Sequence, residues 1–201
     1  MPTQAELDEL QTLIDRSTAA AGPYLRRTFE LPDHALSAAQ LTRYWDGRRQ
    51  IALATVTTSG APRVAPVDAL MRGARFYVPT VRDAARVRHV RARVKVSWTH
   101  WISNRIAVVA HGNATVVEPG NPDFESVDPT YAEAWWLPLR VAGSGVYVRI
   151  APDRLYTWAL IPAHSPANNA QPRSTPRPRP GWLIWSQLTT GVPSRGRPGA
   201  E

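Results

Sequence analysis

Ile51-Ala52-Leu53-Ala54-Thr55-Val56-Thr57-Thr58, then Ser59-Gly60-Ala61, then Pro62-Arg63-Val64-Ala65-Pro66-Val67-Asp68-Ala69-Leu70 is the stretch that decides the fold. Two runs of strand-forming residues flank a Ser-Gly turn, which is the signature of an antiparallel hairpin. A third run, Arg75–Pro79, follows Arg72-Gly73-Ala74. The chain then passes Thr80-Val81-Arg82-Asp83 into an arginine-studded helix expected over Ala84–Arg93. Strand end and helix start together offer a hydroxyl, backbone N–H groups and guanidinium groups. That corner suits a phosphate, because helix N-termini leave donors unpaired and carry partial positive charge.

Within the stretch, both faces of Ile51–Thr58 are rather apolar, which predicts a strand covered on both sides. Pro62 and Pro66 would each remove a ladder donor, so the second strand is expected at an edge or a bulge that exposes backbone to a ligand. In the helix, Val87, Val90 and Val94 form an apolar stripe, and Arg82 and Arg86 stand one turn apart. Arg88, Arg91 and Arg93 read as solvated.

Upstream, Thr3 with Glu6 and Ser37 with Gln40 each make a helix-capping box, with Leu36 and Leu41 as a hydrophobic staple around the second. These helices are expected to cover a barrel end or a subunit contact. Downstream, Val94–His100 and Arg105–Val117 read as strands. Glu118–Asp128 reads as a loop, and Tyr131–Leu137 as a helical turn ending before Pro138. Ser144–Ile150 and Arg154–Leu160 read as a last hairpin turning at Ala151-Pro152-Asp153. Many short strands with regular turns and few helices argue for a mainly β (α+β) antiparallel barrel. Three segments follow: 1–48 as a helical cover, 49–161 as the barrel, and 162–201 as a Pro/Arg-rich tail. The tail carries Trp182-Leu183-Ile184-Trp185 as a hydrophobic docking island.

Composition narrows the function. The 201 residues hold no cysteine, which excludes disulfides, thiolate nucleophiles and cysteine metal sites. No apolar run approaches the roughly 20 residues that span a bilayer. No basic segment followed by an apolar core opens the chain, so a cytoplasmic protein without membrane contact is expected. Net charge is +8, and Lys95 is the single lysine, so arginine supplies nearly all the positive charge. Guanidinium forks suit phosphate oxygens. His34, His89, His100, His111 and His164 are scattered, so no metal site is expected.

The ordered set Leu53-Ala54-Thr55-Val56, Ser59–Val67, Phe76-Tyr77-Val78-Pro79-Thr80, Arg82-Asp83-Ala84-Ala85-Arg86-Val87 and His111-Gly112-Asn113-Ala114 resembles the pyridoxamine 5′-phosphate oxidase-like superfamily. Its members are split β-barrels that bind FMN or the deazaflavin F420. The resemblance implies a six- to seven-stranded antiparallel split barrel with short covering helices, an FMN cofactor (F420 as the alternative), and a homodimer with cofactor sites at the interface. It implies an oxidoreductase moving hydride at the cofactor ring of a small-molecule substrate. The backbone of Val64, Ala65, Pro66 and Val67 would lie along the ring edge. Thr80, Arg82 and Arg86, with Pro79 and Val81 beside them, would hold the phosphate or ribityl chain, and Arg63 is a further phosphate candidate. Arg86 stands where many relatives carry lysine.

True pyridoxamine-phosphate oxidases close with an Arg-Leu-centred substrate grip. Tyr156-Thr157-Trp158-Ala159-Leu160 supplies none, so the resemblance stops short of the substrate. No catalytic side chain is assigned. Trp101 and Trp135 are candidates to line a substrate pocket. Trp98 reads as core, and Trp135-Trp136 also suits a dimer interface. A rival reading makes the barrel a non-catalytic scaffold whose arginines and tail contact nucleic acid or protein. Nucleic acid is the less expected partner.

Overall fold

The computed structural model describes residues 2–160. The chain divides into two units, Met1–Asn168 and Asn169–Glu201. The Pro/Arg segment, the Trp182–Trp185 island and His164 lie outside the described residues.

Six strands close an antiparallel barrel in the order β1-β2-β3-β6-β5-β4. They are β1 Arg48–Val56, β2 Pro62–Arg72, β3 Arg75–Val81, β4 Lys95–Ile102, β5 Ile106–Val117 and β6 Gly145–Ala159. Alternation fills the interior. Ile51 and Leu53 of β1, Val67 and Ala69 of β2, Phe76 and Val78 of β3, and Val96 and Trp98 of β4 are buried in one core. Trp98 is thus core, meeting Phe76 edge-on at 4.4 Å between ring centroids.

Helices close the barrel ends. Both capping boxes form. Thr3 caps α1 (Gln4–Ala19) and Ser37 caps α3 (Ala38–Tyr44), each with the reciprocal Glu6 or Gln40 bond. A short helix α2, Pro23–Thr28, lies between them where none was expected, with proline in its first turn. Leu10, Leu13 and Ile14 of α1 join Leu41, Tyr44 and Trp45 in the main core. Helix α4, Ala85–Ala92, buries Val87 and Val90 in that core. Since α4 meets the last residues of β1 and β3 whereas α3 meets the start of β1, the two helices plug opposite ends.

Expectations for four elements change. The expected last hairpin is one strand, because Ala151-Pro152-Asp153 forms a bulge rather than a turn. Gly112 pairs with Pro152 while His111 pairs with Arg154, leaving Asp153 as the extra residue. A bulge tolerates the missing proline donor. It also dictates glycine at 112, where an added Cβ would stand 2.3 Å from the Ala151 carbonyl oxygen.

The loop Glu118–Asp128 contains helix α5, Pro122–Val127, capped by Asn121. Helix α6 is Trp136–Val141 and runs through Pro138. Proline fits there because first-turn N–H groups have no intrahelical partner. Finally, α4 begins at Ala85 and ends before Arg93, so Val94 leaves the apolar stripe and is exposed.

A second core gathers Leu70, Tyr77, Phe124, Val127, Tyr131, Trp136 and Tyr147. Its hub is the buried Asp128 carboxylate, which accepts from Trp136 Nε1 at 2.7 Å and Tyr147 Oη at 3.3 Å and pairs with Arg140. Trp136 is therefore internal core and not an interface residue. Among the described residues no helix is long and apolar enough to cross a membrane.

Candidate functional site

The barrel is split between β2 and β3. These strands pair only through Leu70–Arg72 and Arg75–Tyr77. β2 then stays with β1, and β3 is carried away by β6 over Phe76–Val81. Pro62–Ala69 is therefore an edge on one side, as its prolines predict. The Thr57 N–H donates to the Ala61 carbonyl at 2.9 Å. Antiparallel alternation then makes 55/63, 53/65 and 51/67 the hydrogen-bonded pairs. Pro62, Val64, Pro66 and Asp68 consequently turn their backbone toward the open edge. The prolines forfeit no ladder bond, and Val64 keeps a free N–H among carbonyls. Outward along the same strand, the Val64 side chain is 70% exposed, while Ala52, Ala54 and Val56 of β1 are half-buried rather than covered on both faces.

Across the mouth of this split lies α4. Ala84 is its N-cap and contributes no side-chain cap; the Val87 N–H turns back to the Ala84 carbonyl at 3.0 Å, which leaves the Ala85 and Arg86 N–H groups without a partner among the described residues. The start of α4 sits beside the end of β3. Thr80, buried on the interior face, accepts from Arg86 Nη1 at 3.1 Å. Arg86 is half-buried, and among the described residues no carboxylate reaches it within ion-pair distance. Burial alone pulls its guanidinium below the ordinary arginine range. Arginine stays charged regardless. A sequestered cation without a counter-charge is costly unless an anion completes it.

Arg82 goes elsewhere. Its guanidinium pairs with Glu118 and donates to the Gly143 carbonyl, and Arg91 reaches the same carboxylate at 3.0 Å. Those two arginines hold Glu118 below the usual carboxylate range. Arg82 and Arg86, one turn apart in sequence, thus end on different partners, because α4 starts only after Arg82. Pro79 and Val81 flank Thr80 on β3, Pro79 buried and Val81 half-buried. Arg63 pairs across from Thr55 and shares the face of Val67 and Ala69, which brings it to the mouth of the split. Arg88 and Arg93 are exposed but engaged with backbone carbonyls, Arg88 at Asp83 and Arg93 at Thr57 and Thr58.

Trp101, 58% exposed, stands at the end of β4 on the outer sheet face. Trp135, 41% exposed, makes edge contacts with Tyr131 and Trp136. Among the described residues neither tryptophan shares a hydrogen bond or ring contact with Thr80 or Arg86. His111 lies in β5 with Ser97 Oγ at 2.8 Å. Among the described residues no cluster of three or more His, Asp or Glu is placed to hold a metal ion.

Sequence reading passed over two residues here. His89, one turn beyond Arg86 on α4, holds Thr55 Oγ1 at 2.9 Å through Nδ1. The i, i+3 spacing of Arg86 and His89 was the available signal. The pairing of Thr55 with a helix remote in sequence was not.

The structure is thus a six-stranded antiparallel barrel split between β2 and β3, with an open β2 edge and a cationic corner at a helix start. Residues 38–159 match the pyridoxamine 5′-phosphate oxidase family, and the chain belongs to it. No curated protein matches. Among solved structures the chain is similar to general stress protein 26 of Bacillus anthracis at 18% identity, with a TM-score of 0.49 over 60% of this chain and 92% of that one. It is also similar to HutZ, a heme storage protein of Vibrio cholerae, at 17% identity and TM-score 0.49, covering 60% of this chain and 93% of that one. A pyridoxamine 5′-phosphate oxidase-related FMN-binding protein of Nostoc punctiforme gives 12% identity and TM-score 0.47, covering 70% and 86%. Superpositions and identities this low bear on neither ligand nor activity.

Proposed function

We propose that the protein binds FMN in the split between β2 and β3 and uses it as an oxidoreductase acting on a small molecule. Family membership supports a flavin-binding barrel. The observation that carries the reading is the half-buried Arg86 guanidinium, which donates to Thr80 and has no carboxylate partner among the described residues. The residues fit the group. Arg86, Thr80 and the Ala85 and Arg86 N–H groups opening α4 would take the phosphate, with Arg63 at the mouth. The open backbone edge at Val64–Val67 offers one donor, the Val64 N–H, beside the Val64 and Pro66 carbonyls to the polar rim of a flavin ring. Bound there, FMN supplies hydride and electron transfer, while the protein binds, orients and excludes water.

Arg82 joins the phosphate set only by leaving Glu118. A longer, more anionic F420 tail would give it reason to, so F420 is the second reading. The exposed Val64 and Trp101, with half-buried Ala54 and Val109 on the same outer face, support a homodimer through that face. Purified protein titrated with FMN and with F420, followed by flavin fluorescence and absorbance, tests the reading. Binding of neither overturns it. A monomer at micromolar concentration by light scattering would remove the dimer.

A further inference from the structure

Resting on the FMN reading, we infer that His89 is a third phosphate-contacting side chain, held in place by the Thr55 hydroxyl. Thr55 is buried at the interior end of β1, and His89 Nδ1 is the partner its side chain has among the described residues. A buried hydroxyl needs an acceptor for its proton. Donation from Thr55 to Nδ1 leaves the ring proton on Nε2, which has no protein partner among the described residues. The imidazole therefore presents a donor, the polarity an anion requires. Position agrees with chemistry. His89 follows Arg86 by one helical turn on the same face of α4, and Thr55 is cross-strand from Arg63. Two hydroxyl anchors, Thr80 under Arg86 and Thr55 under His89, thus fix two donor side chains of one helix over the mouth of the split.

Charge around the ring makes the contact responsive to occupancy. The groups facing it are cationic, Arg63 from β2 and Arg88 from its own helix, and Arg86 and Arg93 stand one turn to either side. Burial first, then Arg88 and Arg63, keep His89 below its ordinary protonation range. A phosphate seated among these arginines reverses the local field, so His89 takes up a proton more readily when the site is filled.

The test uses the full chain and two probes that differ only in the phosphate, FMN and riboflavin. His89→Gln should weaken FMN on the order of tenfold, the worth of one hydrogen bond to a charged group, and leave riboflavin affinity unchanged. In wild type, the His89 imidazole resonances, assigned by their loss in the variant, should titrate at higher pH once FMN is added. Unchanged FMN affinity in a folded His89→Gln variant, equal loss for both probes, or an imidazole titration indifferent to FMN overturns the inference while leaving FMN binding intact. Failure of the wild-type chain to bind FMN overturns the reading and the inference together.

Discussion

Replacing Arg86 by methionine sets stability against ligand binding, and the structure fixes both signs. In the ligand-free protein the substitution removes one hydrogen bond, Arg86 Nη1 to Thr80 Oγ1, worth about 1 kcal/mol. It also removes a half-buried cation with no carboxylate partner among the described residues, whose desolvation opposes folding by a comparable amount once partial exposure is allowed for. The two offset, so the melting temperature should move by no more than a few degrees.

Phosphate binding has no such offset. A charge-assisted bond contributes about 1.5–3 kcal/mol, so FMN affinity should fall roughly 10- to 100-fold. Thermal shift reads both quantities at once. At a hundred times its Kd, FMN should stabilise the wild type by about 2.7 kcal/mol, and the same concentration should stabilise a thirtyfold weaker variant by less than about 1 kcal/mol. For a domain of this size the wild-type shift is roughly 5–10 °C. Arg86→Lys should retain most of the FMN response, and riboflavin should not distinguish the variants. An Arg86→Met protein that melts many degrees lower yet binds FMN like wild type would show Arg86 to be a structural tie to Thr80, and would refute the reasoning.

Other outcomes follow from the packing. His100 is buried, with Nδ1 on the Gln50 carbonyl at 2.7 Å and Nε2 at 2.6 Å from the Tyr44 hydroxyl, and burial keeps its pKa below the usual histidine value. The unfolded chain therefore takes the proton first, and stability should drop as pH falls below about 6.5. Urea midpoints at pH 7 and pH 5 should show a smaller drop for His100→Gln than for wild type. Asp128→Ala strands the Trp136 and Tyr147 donors in the second core, a loss of about 2–5 kcal/mol readable as a lower denaturant midpoint with unchanged slope. Gly112→Ala drives a methyl into the Ala151 carbonyl and should cost at least about 1–3 kcal/mol. A Gly112→Ala protein as stable as wild type would mean that the β6 bulge can move aside.

From residue order alone, the hairpin at Ser59-Gly60, the alternation that fills the barrel, the two capping boxes and the edge status of Pro62–Pro66 were all legible. Each depends on neighbours within a few residues, where φ preference, period and donor count act directly. Membership of the family was carried by the same local pieces in order. What the tertiary structure decided concerns partners far apart in the chain. Ala151-Pro152-Asp153 has the composition of a turn, and only its pairing with Gly112 makes it a bulge. Trp136 looks like interface until its indole N–H is seen to donate to the buried Asp128 carboxylate. Arg82 and Arg86 look equivalent until the late start of α4 sends one to Glu118 and the other to Thr80. Thr55 reaches His89 because the barrel closes, bringing β1 under a helix that no local pattern connects to it. Short-range preferences shape each element, whereas charge pairing and burial are settled only when the sheet closes and every donor must find an acceptor.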